Sequence, residues 1–385
     1  MTADPAQLVL CSKSTWYPAI RREHALTGLA SANGHPVEFL ERSIDIRAFR
    51  SAAGARRWGR ALAGRERIAI GPRVTVTPTA TVVPGHRSYA AERSHSALVR
   101  RRARGAIRPG ATVVVTTPWL WAAARAIPDV RLVFECDDDW ATLIPSRAQA
   151  FHRTYEKVAR EADAIIAVNP AAQALFGGRP VTVIRNGVDP ALIAAPRMVE
   201  RKPRRLLYVG TLSPRFDADL VRGLLRSLPD WELDIYGQCQ YPGAGLEPDR
   251  ELRQLLDDHR GQLTWHGVVP RERLAEVIDG ATVGLVPNRR DPSGGQDSMK
   301  LYDYSARGLP VVSTRWSDNL AEDGPPGLEL ADTVAEMAAA VRRIAVTDAE
   351  ATAARLGWAE SNSWPRRWPA WSRVLFPDGD PAAVS

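Results

Sequence analysis

The sequence predicts an α/β protein of two domains, each built on a parallel sheet with helices on both faces. Three observations carry that expectation. The 385 residues exceed what one hydrophobic core organises. Short continuous apolar runs alternate with helix-length segments through both halves, as in sheets buried on both faces. The scheme starts afresh after a proline-rich stretch near the middle. Hydrophobic residues make up 45% and charged residues 25%, the balance of globular domains rather than of disordered chain.

In the first half, residues 8–11 read as a strand, 20–33 as a helix ended by Gly34, and 37–40 as a second strand. After an arginine-rich stretch come four more apolar runs, 112–116, 132–135, 164–168 and 181–184, with a helix over 146–162. Residues 189–203 hold Pro190, Pro196 and Pro203 among charges without periodicity, and read as the linker. The second half repeats the pattern, with strands at 205–209, 233–236, 263–266, 283–286 and 311–314. Helices are expected near 218–228, 251–259, 273–279 and 298–307. Two such sheets facing one another line a crevice with the carboxyl ends of their strands, where ligands of open sheets bind. Neither half has G-x-G-x-x-G after its first strand, since Gly210 stands alone, so no dinucleotide cofactor is indicated.

Composition excludes several classes. Cys11, Cys136 and Cys239 are far apart and lack metal-ligand spacing, so they read as small buried hydrophobes. The first seven residues lack a signal-peptide pattern and no apolar run approaches ~18 residues, so a cytoplasmic location is expected. The formal charge of +7 is concentrated in residues 47–108, including Arg56, Arg57, Arg60, Arg65, Arg67, Arg100, Arg101, Arg102 and Arg104. Lysine occurs only at 13, 157, 202 and 300, a bias that reads as GC-rich bacterial coding and not as a nucleic-acid site. The basic segment 56–108 is either a solvated face or a contact for an anionic acceptor or for lipid headgroups at the inner membrane face.

The most informative stretch is PNRRDPSGGQDSMKLYDYSARGLPVVST, residues 287–314. Asp297 suits an N-cap, Gly308 a left-handed C-terminal position, and Pro310 follows, which leaves a helix of about ten residues. Gly294 and Gly295 precede it, so free backbone N–H groups and the helix dipole would favour an anion such as a diphosphate. Lys300 and Asp303 are three apart and share a face. An ammonium near the N-terminus would meet phosphate, and a carboxylate one turn on would accept both hydroxyls of a ribose. The other reading is a surface ion pair worth a few tenths of a kcal/mol.

The run from Lys300 through Leu301, Tyr302 and Asp303 to Gly308 and Pro310 resembles the K-L-Y-E-Y-x-A-x-G-x-P-V-V signature of retaining GT-B glycosyltransferases in glycosyltransferase family 4. Four further stretches resemble that family in order. They are Ala162-Asp163-Ala-Ile-Ile-Ala-Val, Val183-Ile-Arg-Asn186-Gly187-Val-Asp189, Tyr208-Val-Gly210-Thr-Leu-Ser, and Trp265-His266-Gly267-Val-Val-Pro-Arg-Glu-Arg-Leu. The resemblance implies a GT-B fold of two Rossmann-like domains whose parallel sheets face an interdomain cleft. Residues 1–190 would be the acceptor domain, completed by a crossover helix at about 362–376, and 203–361 the nucleotide-sugar domain. It also implies a metal-independent, hexosyl-type transferase using a UDP- or GDP-sugar as co-substrate, with no resident cofactor. The acceptor would be a small molecule, a glycan or a lipid-linked sugar. Carried over by position, Asp303 takes the ribose, Lys300 and Arg215 the diphosphate, and residues 268–270, led by Val268, flank the base. Gly210, Thr211, Gly294, Gly295 and Leu301 complete the donor set. Departures are Asp303 where the family has Glu, Gly295 where it has a second Glu, and Thr211 where it has Arg. The silent binding protein and the nucleotide-sugar epimerase of the same fold therefore stand as alternatives.

In the first half, Asp137, Asp138 and Asp139 follow a strand in sequence with Trp140, and such a carboxylate cluster needs a stabilising partner. Three readings stand: a metal site, acceptor binding or base catalysis, and helix capping. Asp137, Asp138 and Asp139 are expected to be catalytic, without a metal. Trp16 and Tyr17, after the first strand, and Trp140 are the candidates to stack on an acceptor.

Overall fold

The computed structural model describes residues 5–16, 21–63, 66–82, 88–103, 106–197, 199–241, 246–290, 297–317, 320, 324–346 and 348–377. Contacts divide the chain into two compact units. The N-terminal unit takes residues 1–185 and 367–385, and the C-terminal unit takes 186–294 and 298–366.

The N-terminal unit is an eight-stranded sheet: β1 Leu8–Cys11, β2 Val37–Leu40, β3 Ile68–Ala69, β4 Val74–Thr77, β5 Thr112–Val115, β6 Arg131–Cys136, β7 Ala164–Ala167 and β8 Thr182–Val183. Their order is β3-β4-β2-β1-β5-β6-β7-β8, parallel throughout except for the β3–β4 pair. Strands β1, β2 and β5 are buried along their whole length, Glu38 of β2 included, as expected when helices cover both faces. Helix Ala148–Glu161 lays Phe151, Tyr155 and Val158 on the sheet at four- and three-residue spacing, against Phe134 of β6. Sequence reading passes over β3 and β4, because β3 is two exposed residues long and gives no apolar run. The strand order reverses between β1 and β5.

Helix Trp364–Leu375 returns the chain to this unit. The guanidinium of Arg22 lies 4.7 Å from the Trp371 ring, and both Arg22 Nε (2.9 Å) and Trp371 Nε1 (3.1 Å) donate to Glu135 Oε1 on β6. Beyond the helix, Phe376 stacks on His35 at 3.7 Å.

The C-terminal unit is a six-stranded parallel sheet: β9 Arg205–Val209, β10 Glu232–Tyr236, β11 Leu263–Trp265, β12 Val283–Val286, β13 Val311–Ser313 and β14 Glu329–Leu330. The order β11-β10-β9-β12-β13-β14 reverses between β9 and β12. Helices Ala218–Ser227 and Arg250–Asp258 start at Asp217 and Asp249, whose carboxylates accept from Leu220 N (3.0 Å) and Leu252 N (2.9 Å). Helix Val334–Ile344 opens with a Thr333–Glu336 capping box.

The linker differs from its sequence reading, since Pro190–Ala194 is a short helix capped by Asp189, which accepts from Ala191 N at 3.0 Å. A carboxylate at the cap and proline at the first helical position carry that signal, and five residues leave no room for periodicity. Arg307 fixes this segment. Its guanidinium bonds Asp279 through Nε (2.9 Å) and Nη2 (2.6 Å) and donates through Nη1 to the carbonyls of Leu192 (2.9 Å) and Ala195 (2.7 Å).

Candidate functional site

Most donor candidates gather where the C-terminal sheet reverses its order, at the carboxyl ends of β9 and β12. Gly210 leaves β9 with its N–H on the Tyr236 carbonyl at 2.8 Å. A side chain there would displace the end of Lys300, because an added Cβ would lie 2.8 Å from its Nζ and closer still to its Cε. A Cβ at Gly237, the corresponding end of β10, would collide with the Gly210 carbonyl. The two glycines let the strand ends close up beneath the Lys300 ammonium, which lies 4.9 Å from the Tyr208 ring centroid.

Lys300 is placed by helix Met299–Ser305. One turn further along, the buried Tyr304 hydroxyl accepts the Val209 N–H at 2.8 Å. Its ring lies so close on β12 that a Cβ at Gly284 would come within 2.6 Å. The helix is therefore pinned to both central strands. Gly308 closes it at φ +64, the left-handed position read from the sequence. The start is corrected: Ser298, not Asp297, occupies the N-cap, makes no side-chain cap bond, and the helix has seven residues rather than ten. Gly294 and Gly295 lie outside the described residues.

Lys300 and Asp303 are both half-buried, and among the described residues no ion pair joins them, which sets aside the surface-pair reading. Burial pulls the Lys300 ammonium down to about 8, the nearby Arg215 adds to this, and Asp303 opposes it. Burial likewise pushes the Asp303 carboxyl up to about 6 against the pull of Arg271 and Lys300. Arg271 is a residue that sequence reading passes over. It bridges to Asp189 and its field reaches Asp303.

Arg215 is half-buried in the loop after β9 and accepts the Arg289 N–H on its carbonyl at 2.7 Å, tying that loop to the one after β12. Thr211 accepts the Tyr208 hydroxyl on its carbonyl at 3.0 Å. Val268 is 64% exposed, beside Gly267, whose carbonyl takes the Gly237 N–H at 2.7 Å. Leu301 stands apart from the set. Its side chain is buried in the core and its N–H is bonded to the Ser298 carbonyl at 3.1 Å, so it offers nothing toward a ligand.

In the N-terminal unit the carboxylates lie at the reversal between β1 and β5. Lys13, just beyond β1, donates its N–H to Thr116 Oγ1 beyond β5 at 3.0 Å. Its ammonium meets Asp137 at 2.5 Å and Asp138 at 2.8 Å. Lys13 is the stabilising partner that the cluster requires, and one of only four lysines in the chain. Burial lowers the Lys13 pKa, yet Asp137, Asp138 and Glu23 hold it above its ordinary value. Burial pushes Asp137 up to about 7, with Lys13 opposing and Asp138 and Glu23 adding. Asp139 is occupied by helix capping, accepting from Ala141 N (2.9 Å) and Thr142 Oγ1 (2.6 Å). Asp139 is thereby set apart from Asp137 and Asp138, which both pair with Lys13. Among the described residues no group of three or more His, Cys, Asp and Glu side chains is placed to hold a metal ion.

The aromatic candidates are packed. Trp16 lies against His24 (5.2 Å) and Phe39 (5.1 Å) and donates its N–H to Glu41 Oε1 at 2.7 Å. Trp140 packs edge-on against Trp119 at 4.7 Å, with the Lys13 ammonium 5.7 Å from its ring. Tyr17 lies outside the described residues.

Residues 203–346 match the family model of Glycosyl transferases group 1. No curated protein matches the chain. Among solved structures, a trehalose-6-phosphate structure from E. coli bound with UDP-2-fluoro glucose has a TM-score of 0.72 at 13% identity, covering 96% of this chain and 99% of that one. A sucrose-phosphate synthase from Thermosynechococcus elongatus has 0.68 at 14%, covering 97% of both. An alpha,alpha-trehalose-phosphate synthase (UDP-forming) from Burkholderia xenovorans, in complex with glucose-6-phosphate, has 0.69 at 13%, covering 96% and 99%. Identities this low establish the fold, which is GT-B.

Proposed function

We propose, from the premise that this chain carries a glycosyl transferases group 1 domain at residues 203–346 within a GT-B fold, that it transfers a hexosyl group from a nucleoside diphosphate sugar to an acceptor with retention of configuration. The observation that carries the reading is Lys300. Its ammonium is held over the Gly210 strand end beside Arg215 with no carboxylate of the described residues in ion-pair reach, and Asp303 stands one turn on. A positive pole followed by a carboxylate suits a diphosphate followed by a ribose. Val268 offers an exposed apolar edge to the base. UDP is the first candidate, because the neighbours include one bound with UDP-2-fluoro glucose and one described as UDP-forming; GDP is the second.

In the proposed reaction the bond from the sugar's anomeric carbon to the diphosphate oxygen breaks, and the acceptor oxygen bonds the same carbon on the same face. The acceptor proton passes to the departing phosphate. Lys300 and Arg215 stabilise the charge that develops there, so no metal is called on. Asp137 and Asp138, held by Lys13, would orient the acceptor, with Trp16 and Trp140 beside them. The reading is completed by placement in glycosyltransferase family 4, a cytoplasmic location, and peripheral membrane contact through the basic segment 56–108.

The test incubates the protein with UDP-, GDP-, ADP- and TDP-sugars in EDTA, with and without a mixture of soluble and lipid-linked hydroxyl acceptors, and measures free nucleoside diphosphate. Release that depends on acceptor supports transfer. Release without acceptor is donor hydrolysis; a donor sugar converted to its epimer with no net release, read by chromatography of the nucleotide sugar, makes the chain an epimerase-like enzyme, and binding without either makes it a silent member of the fold.

A further inference from the structure

Three large apolar side chains on the N-terminal unit lie in solvent: Ile46 is 52% exposed, Phe49 56% and Val82 50%. They are neighbours. The Ile46 N–H donates to the Val82 carbonyl at 3.4 Å, Trp58 Nε1 donates to the Thr81 carbonyl at 2.9 Å, and the Phe49 ring packs on Trp58 at 5.2 Å. Trp58 thus supports the patch from helix Ala52–Ala63, whose outer surface carries Arg56, Arg57 and Arg60. Ile68 and Ile70, at and beside the edge strand β3 of the same unit, are also exposed.

The charge around the patch is predominantly positive. Residues 46–82 contain eight arginines and a single acidic residue, Glu66. Four of those arginines bridge carboxylates, namely Arg47 to Asp45, Arg57 to Glu41, Arg60 to Glu66 and Arg67 to Glu38. Eight arginines still outnumber these four acids, and the bridging guanidiniums remain largely in solvent.

Isolated apolar residues on a surface are ordinary, but a contiguous apolar patch ringed by arginine is what an anionic bilayer surface accepts. Phe and Ile enter the boundary between headgroups and acyl chains, and guanidiniums reach lipid phosphates. A second copy of the chain would set arginine against arginine, which favours the lipid. We propose that the face formed by Ile46, Phe49 and Val82, with Arg56 and Arg60 beside it, docks the N-terminal unit on an anionic lipid bilayer. This deepens the membrane contact proposed above for segment 56–108 and rests on it, moving its apolar anchor to residues 46–82. The docked face is one ion pair from the loop beyond β1. Arg57 bonds Glu41 Oε2 at 3.0 Å, and Glu41 Oε1 accepts the Trp16 N–H at 2.7 Å.

The test is co-sedimentation with vesicles of phosphatidylglycerol and phosphatidylcholine against vesicles of phosphatidylcholine alone, at low and at 0.15 M salt. The full chain is expected to bind the anionic vesicles, to ignore the neutral ones, and to bind less as salt rises. Arg56→Glu, which disturbs no bonded partner, reverses one charge and should weaken binding about 30-fold at roughly a tenfold change per 1.4 kcal/mol. Ile46→Ser with Phe49→Ser should weaken it by more than tenfold, with a thermal melt confirming that the double variant folds. The proposal is overturned if anionic vesicles are not bound, if neutral vesicles bind equally, or if neither variant weakens binding. A concentration-dependent dimer abolished by the double variant would also overturn it and assign the face to a second copy. Vesicle binding needs no turnover, so an unsubstituted chain that transfers sugar to a soluble acceptor but does not bind anionic vesicles would sink this proposal and leave the proposed reaction standing.

Discussion

Replacing Lys300 by Met removes a charge that the folded chain holds against desolvation, so stability and activity should move in opposite directions. Burial and Arg215 bring the Lys300 ammonium from its ordinary 10.5 down to about 8. At pH 7 the side chain is protonated in the folded and unfolded chain alike, and keeping that proton in the folded state costs about 3 kcal/mol. The sign follows from the unfolded chain binding the proton more tightly. The penalty is full below pH 8 and disappears as pH rises toward 10.5. Methionine fills a similar volume without charge. Lys300→Met should therefore raise the melting temperature at pH 7 by ~6–12 °C, at roughly 2–4 °C per kcal/mol for a domain of this size. Turnover should fall by about 10²- to 10³-fold, the usual loss when one group that stabilises a developing oxyanion is removed. Differential scanning fluorimetry at pH 7 and a nucleoside-diphosphate release assay measure both. A melting temperature that drops by several degrees would make Lys300 a structural residue, and near-normal turnover would remove it from the leaving group.

Asp303→Asn should weaken nucleoside diphosphate binding by about 10- to 100-fold, because a charged acceptor of two hydroxyls becomes a neutral one. Asp303→Glu should retain most of the affinity, and isothermal calorimetry separates the two. Nucleotide affinity should follow a bell in pH. Below about 6 Asp303 takes up a proton and ceases to accept, and above about 8 Lys300 loses its charge; a flat calorimetric profile from pH 5 to 9 contradicts this assignment. Arg307→Met leaves Asp279 buried without its guanidinium and the Leu192 and Ala195 carbonyls without their donor. The loss should be about 3–5 kcal/mol in urea unfolding.

The strands that position both sites are legible in the sequence because parallel strands covered on both faces must be continuous apolar runs, as 205–209 and 283–286 are. Gly308 is legible because a left-handed residue is wanted after a helix. What escapes has physical reasons. Strand β3 is two exposed residues. Lys13 and Arg271 act through partners distant in sequence, Asp137 and Asp303, and no local spacing encodes such a pairing. The only hint at Lys13 is a rare lysine directly after the first strand. Asp139 could not be told from its neighbours until the cap at Ala141 was visible. The half-burial that lowers Lys300 depends on Gly210 and Gly237 letting two strand ends meet.

On this reading the C-terminal unit binds a nucleoside diphosphate through Lys300 without a metal. Thermal shift with UDP, GDP, ADP and TDP, each in EDTA and in magnesium, tests it most directly. One diphosphate is expected to stabilise the chain equally in both, by about 2.7 kcal/mol at a hundredfold excess over Kd, and to lose that effect in Lys300→Met. No shift with any diphosphate, or a shift only with magnesium, would contradict the claim.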